Sequence, residues 1–116
     1  MRLIIAGGRN IVPTIEELNS LITMIYGKDV VTEVVCGGCK GVDTAGKAWA
    51  NSQGIPLANF TADWALEGKK AGPKRNEQMA EYAEALLLIW NGKSHGSLSM
   101  LDFAQIYGLD IKQVIL

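Results

Sequence analysis

The sequence predicts an α/β protein, a Rossmann-like three-layer sandwich in which a five-stranded, mostly parallel sheet carries helices on both faces. Three observations lead there. Short apolar runs alternate with longer stretches of helical periodicity along the whole chain, the pattern of repeated βαβ units. The runs from Arg2 to Ala6 and from Ala85 to Trp90 are apolar at nearly every position, as strands buried on both faces require. Three strands also end in a glycine-rich turn that opens a helix: Gly7-Gly8-Arg9-Asn10, Gly37-Gly38-Cys39-Lys40-Gly41, and Asn91-Gly92-Lys93-Ser94-His95-Gly96-Ser97. Right-handed crossovers would bring all three turns to the carboxyl edge of the sheet, where such folds bind ligands.

The elements follow in order. Arg2 to Ala6 is the first strand. Pro13-Thr14 opens a helix in which Thr14 and Glu17 have capping-box spacing, Ile15, Leu18, Leu21, Ile22 and Ile25 share an apolar face, and Gly27 is the stop. Thr32 to Cys36 is the second strand, and its helix, Asp43 to Gln53, turns Ala45, Ala48 and Trp49 inward. Pro56 to Phe60 is a short third strand whose leading proline suits a sheet edge. Thr61 to Lys70 reads as the longest irregular segment and, with Asp63, Trp64, Lys69 and Lys70, as a functional loop.

Gly72-Pro73 starts the next helix, with Lys74, Arg75 and Asn76 in its first turn and Met79 facing inward. Ala85 to Trp90 is the most hydrophobic element and is expected at the centre of the sheet. A helix from Leu98 to Tyr107 ends at Gly108, and Ile111 to Leu116 is the closing strand. One domain accounts for residues 1–116.

A chain of 116 residues, 48% hydrophobic and 20% charged, is globular in composition, which excludes a disordered tail or a fibre. The longest apolar run is too short to span a bilayer, and no secretory leader follows Met1-Arg2, so a cytoplasmic location is expected. A net charge of −1 argues against nucleic acid as a partner, which would call for a basic excess. Cys36 and Cys39 cannot complete a zinc site by themselves, and the single histidine, His95, is remote in sequence, so neither a metal nor a cofactor is expected. The Cys-x-x-Cys admits a thioredoxin-like redox pair. Gly41, which interrupts the helix that should start at the pair, favours two small residues in a tight turn.

A helix N-terminus behind a glycine turn offers unpaired N–H groups and a partial positive charge, which suits a phosphate or carboxylate. Gly7 and Gly8, Gly37, Gly38 and Gly41, and Asn91, Gly92, Ser94, Gly96 and Ser97 are therefore candidate ligand contacts; tight turns and an N-cap at Ser97 are the plainer reading. Arg9 and Arg75 are candidate anion partners. Arg75 sits in a first helical turn, where a cation is unfavourable unless an anion lies nearby. Asn76 and Asp43 would fix orientation, Asp43 by a ribose hydroxyl or, more simply, by capping its helix. Trp64 either stacks on a base or anchors its own loop.

Gly7-Gly8-Arg9, Gly37-Gly38 with Gly41-x-Asp43, Asp63-Trp64, Ala71-Gly72-Pro73-x-Arg75-Asn76-x-x-Met79 and Trp90-Asn91-Gly92-x-Ser94-x-Gly96-Ser97 together resemble the YspA-like, YpsA-related branch of the SLOG superfamily. The resemblance implies a Rossmann-like domain that binds nucleotides or nucleotide-derived molecules such as ADP-ribose, and a homo-oligomer, a dimer or higher. Relatives in the superfamily include phosphoribohydrolases, which cleave the base from a nucleoside monophosphate, and a DNA-processing branch. The hydrolases carry a Gly-Gly-x-Gly-Thr-x-x-Glu turn, and here Met100 occupies the position of that glutamate. If this chain is such an enzyme, Arg75 and Asp43 are the catalytic candidates. Binding for sensing or sequestration is the preferred expectation, hydrolysis of an N-glycosidic bond the second, and single-stranded nucleic-acid binding the third, disfavoured by charge balance and few aromatics.

Overall fold

A computed structural model describes residues 1–116. The strands are β1 (Arg2–Gly7), β2 (Glu33–Cys36), β3 (Leu57–Asn59), β4 (Ala85–Trp90) and β5 (Asp110–Ile115). Four helices of 12 residues connect them: α1 (Ile15–Tyr26), α2 (Val42–Gln53), α4 (Ala71–Tyr82) and α5 (His95–Ile106). A single helical turn, α3 (Trp64–Glu67), and a 3-10 turn, Gly68–Lys70, lead into α4. The strands form one sheet in the order β3-β2-β1-β4-β5, and every neighbouring pair is parallel.

The near-continuous apolar strands are explained by helices on both faces. On one side Leu3, Ile5, Val34, Leu87 and Ile89 pack against Leu18 and Ile22 of α1 and Trp49 of α2. On the other, Ile4, Ala6, Val35, Leu86 and Leu88 meet Met79 of α4 and Met100 and Leu101 of α5. Each fully buried leucine or isoleucine contributes about 1.5–3 kcal/mol by leaving water. No helix is long and apolar enough to cross a membrane.

Four details differ from the expectation. The sheet is parallel throughout. Its middle strand is β1, and β4 lies beside it; burial on both faces marks a strand as interior but does not order the interior strands. The segment expected to be irregular contains α3, held by the Asp63 carboxylate accepting the Leu66 N–H at 3.0 Å. Finally, α5 begins at His95 rather than Leu98, because Ser94 is its N-cap and Asn91 shapes the turn before it. The capping box of Thr14 and Glu17 is present as read.

The order of strands positions the site. From β1 the chain moves outward through β2 to β3, then returns past β1 to β4, so strand order reverses between β1 and β4. Ligands in open α/β sheets sit above that reversal. There the two strands approach closely: Gly8 donates its N–H to the Ile89 carbonyl at 3.0 Å, and a Cβ on Gly7 would lie 1.8 Å from the same oxygen.

Candidate functional site

Above the ends of β1 and β4 lies a cavity of about 340 Å³. The end of β1, the β2–α2 turn, α3 and the first turns of α4 and α5 supply its walls.

The β2–α2 turn is stapled from within. Asp43, in the first turn of α2, is 6% exposed, and its Oδ2 accepts the N–H groups of Gly37 at 3.2 Å and Cys39 at 3.4 Å. Two amides that the sequence offers as free donors are therefore already paired. Gly41 locks this turn to the one after β1. Its φ is +78°, the Val42 N–H reaches the Gly8 carbonyl at 3.2 Å, and a Cβ at 41 would sit 2.2 Å from that oxygen.

Arg75, from the first turn of α4, crosses under this turn and is 9% exposed. Its Nη1 donates to the Gly37 carbonyl at 2.8 Å and lies 3.5 Å from the Cys39 sulfur, while Nε donates to Asn76 Oδ1 at 3.2 Å. The guanidinium lies against Gly37, where an added Cβ would be 2.9 Å from Cζ. Asn76 extends the chain of bonds to α5, donating to Ser99 Oγ at 3.2 Å and the Gly96 carbonyl at 3.4 Å. Nη2 of Arg75 is the one arm of the fork with no acceptor in the protein.

The first turn of α5 faces the same cavity. Ser94 Oγ caps the Ser97 N–H at 3.5 Å, whereas the N–H groups of His95 and Gly96 have no partner in the protein. Open N–H groups, the helix dipole and a guanidinium on one wall form an anion-attracting surface. Trp64 stands at the rim, 52% exposed, with its ring edge against Gly72. Trp49 and Trp90, by contrast, are each 4% exposed and bonded to Asn19 and Gln113.

The fold thus brings Gly7, Arg9, Asp43, Trp64, Arg75, Asn76, Ser94, Gly96 and Ser97 to one cavity. Gly8 packs on Ile11, Gly37 lies under Arg75, Gly38 neighbours Asn59, and Gly41 abuts Gly8 and Arg9, so these four shape the turns behind the wall. Asn91 accepts the N–H groups of Lys93 and Ser94 at 2.9 and 3.2 Å, and Gly92 turns the chain beside Ile115. Cys39, His95, Ser99 and Met100 also line the cavity. The Asn91-x-x-Ser94 turn, which starts α5 early enough to bring His95 and Ser99 round, was the available signal. Met100 is 2% exposed, and its thioether cannot transfer a proton.

Asp43 is the only carboxylate at the cavity. Burial raises its carboxyl above the ordinary 3.8, opposed in part by the N–H groups of Cys39 and Gly37 and by the Arg75 charge. Folding therefore favours the protonated acid. The ionised form costs stability as pH rises from the unfolded value through the folded one, and the cost is constant above. Asp43→Asn keeps an oxygen for both N–H groups and removes the charge. It is expected to be more stable than wild type near neutrality, by a margin that disappears at about pH 3. Urea denaturation at the two pH values reads this; an equal difference at both would contradict it.

The two cysteines are unbridged. Burial pushes the Cys36 thiol up to about 11, the opposite of what a redox pair needs. No three His, Cys, Asp or Glu side chains converge in a way that could hold a metal ion.

The family model described as YAcAr, the YspA, cpYpsA-related SLOG family, matches residues 1–66, which include the first two glycine turns, Asp43 and Trp64. No curated protein and no solved structure matches the chain.

Proposed function

The chain belongs to the YspA, cpYpsA-related SLOG family, and from that premise we propose that it binds a nucleoside monophosphate or an ADP-ribose-like molecule above β1 and β4, for sensing or sequestration. The supporting observation is the buried Arg75 guanidinium, whose Nη2 lacks a protein acceptor in a cavity it shares with the open N-terminus of α5. A phosphate takes Nη2 and the N–H groups of His95 and Gly96, Asp43 accepts from a ribose hydroxyl, and the base lies towards Trp64.

Asp43 also favours a second reading. A buried carboxyl with a raised pKa is the kind of group that serves as a general acid. In that reading the same site hydrolyses an N-glycosidic bond, with Arg75 holding the phosphate. One experiment separates the two: incubate the protein with nucleoside monophosphates, ADP-ribose and its cyclic forms, desalt it, denature it, and analyse both fractions by mass spectrometry. Recovery of an intact nucleotide from the protein fraction is the expected result. Free base with ribose phosphate would establish hydrolysis instead, and no bound or cleaved nucleotide would overturn both.

A further inference from the structure

Asn76 spends its side chain on the protein. It is 5% exposed. Its Oδ1 accepts from Arg75 Nε at 3.2 Å, and its amide nitrogen donates to Ser99 Oγ at 3.2 Å and to the Gly96 carbonyl at 3.4 Å. A side-chain amide has two N–H donors, so both are taken and none remains for a phosphate. The neighbours also fix which way the amide points: the Nε of an arginine can only donate, and a carbonyl can only accept. Adjacent residues on a helix do not face one another, so the periodicity of α4 does not by itself bring Arg75 and Asn76 together.

We infer that Asn76 is a positioning residue for the phosphate site proposed above, and the inference rests on that reading: Asn76 holds the free arm of Arg75 and the open amides of α5 in register on the walls of one cavity. A guanidinium is planar. Held only at Nη1 by the Gly37 carbonyl, it is free to turn about that bond; held at Nη1 and at Nε, its plane is set and with it the direction of Nη2. At its other end Asn76 grips the Gly96 carbonyl in the first turn of α5. Glycine is the residue with most conformational freedom to lose, so this is the point of that turn that most needs a tether. One buried amide thus aligns donors from α4 and α5 before any anion arrives, and binding does not have to order them. An aspartate at 76 would still accept from Arg75 but would have no proton for α5, and an alanine would serve neither.

The test uses the full chain, with a nucleoside monophosphate and its matching nucleoside as probes. Wild type is expected to prefer the monophosphate; no preference would overturn the reading of the site and the inference with it. Asn76→Ala is expected to lose at least about tenfold in monophosphate affinity while nucleoside affinity stays within about twofold. A purely structural role predicts an equal loss for both probes. That equal loss, or a monophosphate preference kept in Asn76→Ala, would overturn the inference and leave the reading of the site standing. Heteronuclear NMR gives a second readout that needs no ligand. The Arg75 Nε–H is expected to exchange with water more slowly than that of the exposed Arg9. Asn76→Ala is expected to abolish this protection and Asn76→Asp, whose carboxylate still accepts, to keep it. Protection that survives in Asn76→Ala would overturn the inference. So would equal exchange at Arg75 and Arg9 in the wild type, a measurement that decides even where the alanine variant fails to fold.

Discussion

Gly41→Ala is expected to remove a large part of the folding free energy, on the order of 3–5 kcal/mol out of a typical total of about 5–15 kcal/mol. Two effects add. At φ +78° and ψ −123° the backbone is in a region that L side chains avoid. Independently, the new methyl would lie 2.2 Å from the Gly8 carbonyl oxygen and 2.5 Å from that of Arg9. Both obstacles are backbone, so no side-chain rotation relieves them. The turns after β1 and β2 must separate, which breaks the bond from the Val42 N–H to the Gly8 carbonyl. Urea denaturation should show a much lower midpoint; a midpoint within experimental error of wild type would mean that the two turns are not locked at this point.

Gly96→Glu is expected to weaken nucleotide binding at least about 100-fold, some 2.7 kcal/mol, while leaving the fold as stable or more so. Position 96 is exposed, and a Cβ there meets nothing within 4 Å. Replacing a helical glycine gains about 0.5–1 kcal/mol, and an acidic side chain in the first turn of α5 gains a further ~0.3–1 kcal/mol from the helix dipole. The carboxylate, however, takes the position beside the His95 and Gly96 N–H groups that the proposal gives to phosphate. Loss of affinity with a maintained or raised melting temperature separates a ligand-contacting role from a structural one. Unchanged affinity would move the anion away from α5.

What could be read from the chain depended on how far each interaction reaches. Periodicity and apolar runs are local, so the strands, the four long helices and the sandwich were legible, as was the capping box of Thr14 and Glu17. The Asp63 cap of α3 spans a single turn without helical periodicity, and the segment read as a loop. The position of β4 within the sheet depends on which crossover turns back, which no residue in β4 encodes.

The site divides in the same way. Arg75 stood out because a cation in a first helical turn is anomalous, but its reach to the Gly37 carbonyl, 38 residues away, is tertiary. Asp43 reads as a helix-start residue; that it reaches back to the N–H groups of Gly37 and Cys39 depends on the fold of the turn. The glycines at 37, 38 and 41 read as a cradle; in the structure Gly37 lets the Arg75 guanidinium, and Gly41 the carbonyls of Gly8 and Arg9, come close to the backbone.

The central claim is that the cavity above β1 and β4 is a phosphate site for a nucleotide. Calorimetric titration of the full chain with a nucleoside monophosphate and with the matching nucleoside tests it most directly. Charge-assisted bonds to the Arg75 fork and the α5 amides contribute about 1.5–3 kcal/mol each. The monophosphate is therefore expected to bind at least about tenfold more tightly than the nucleoside. Equal affinities, or no binding of either, would contradict the account.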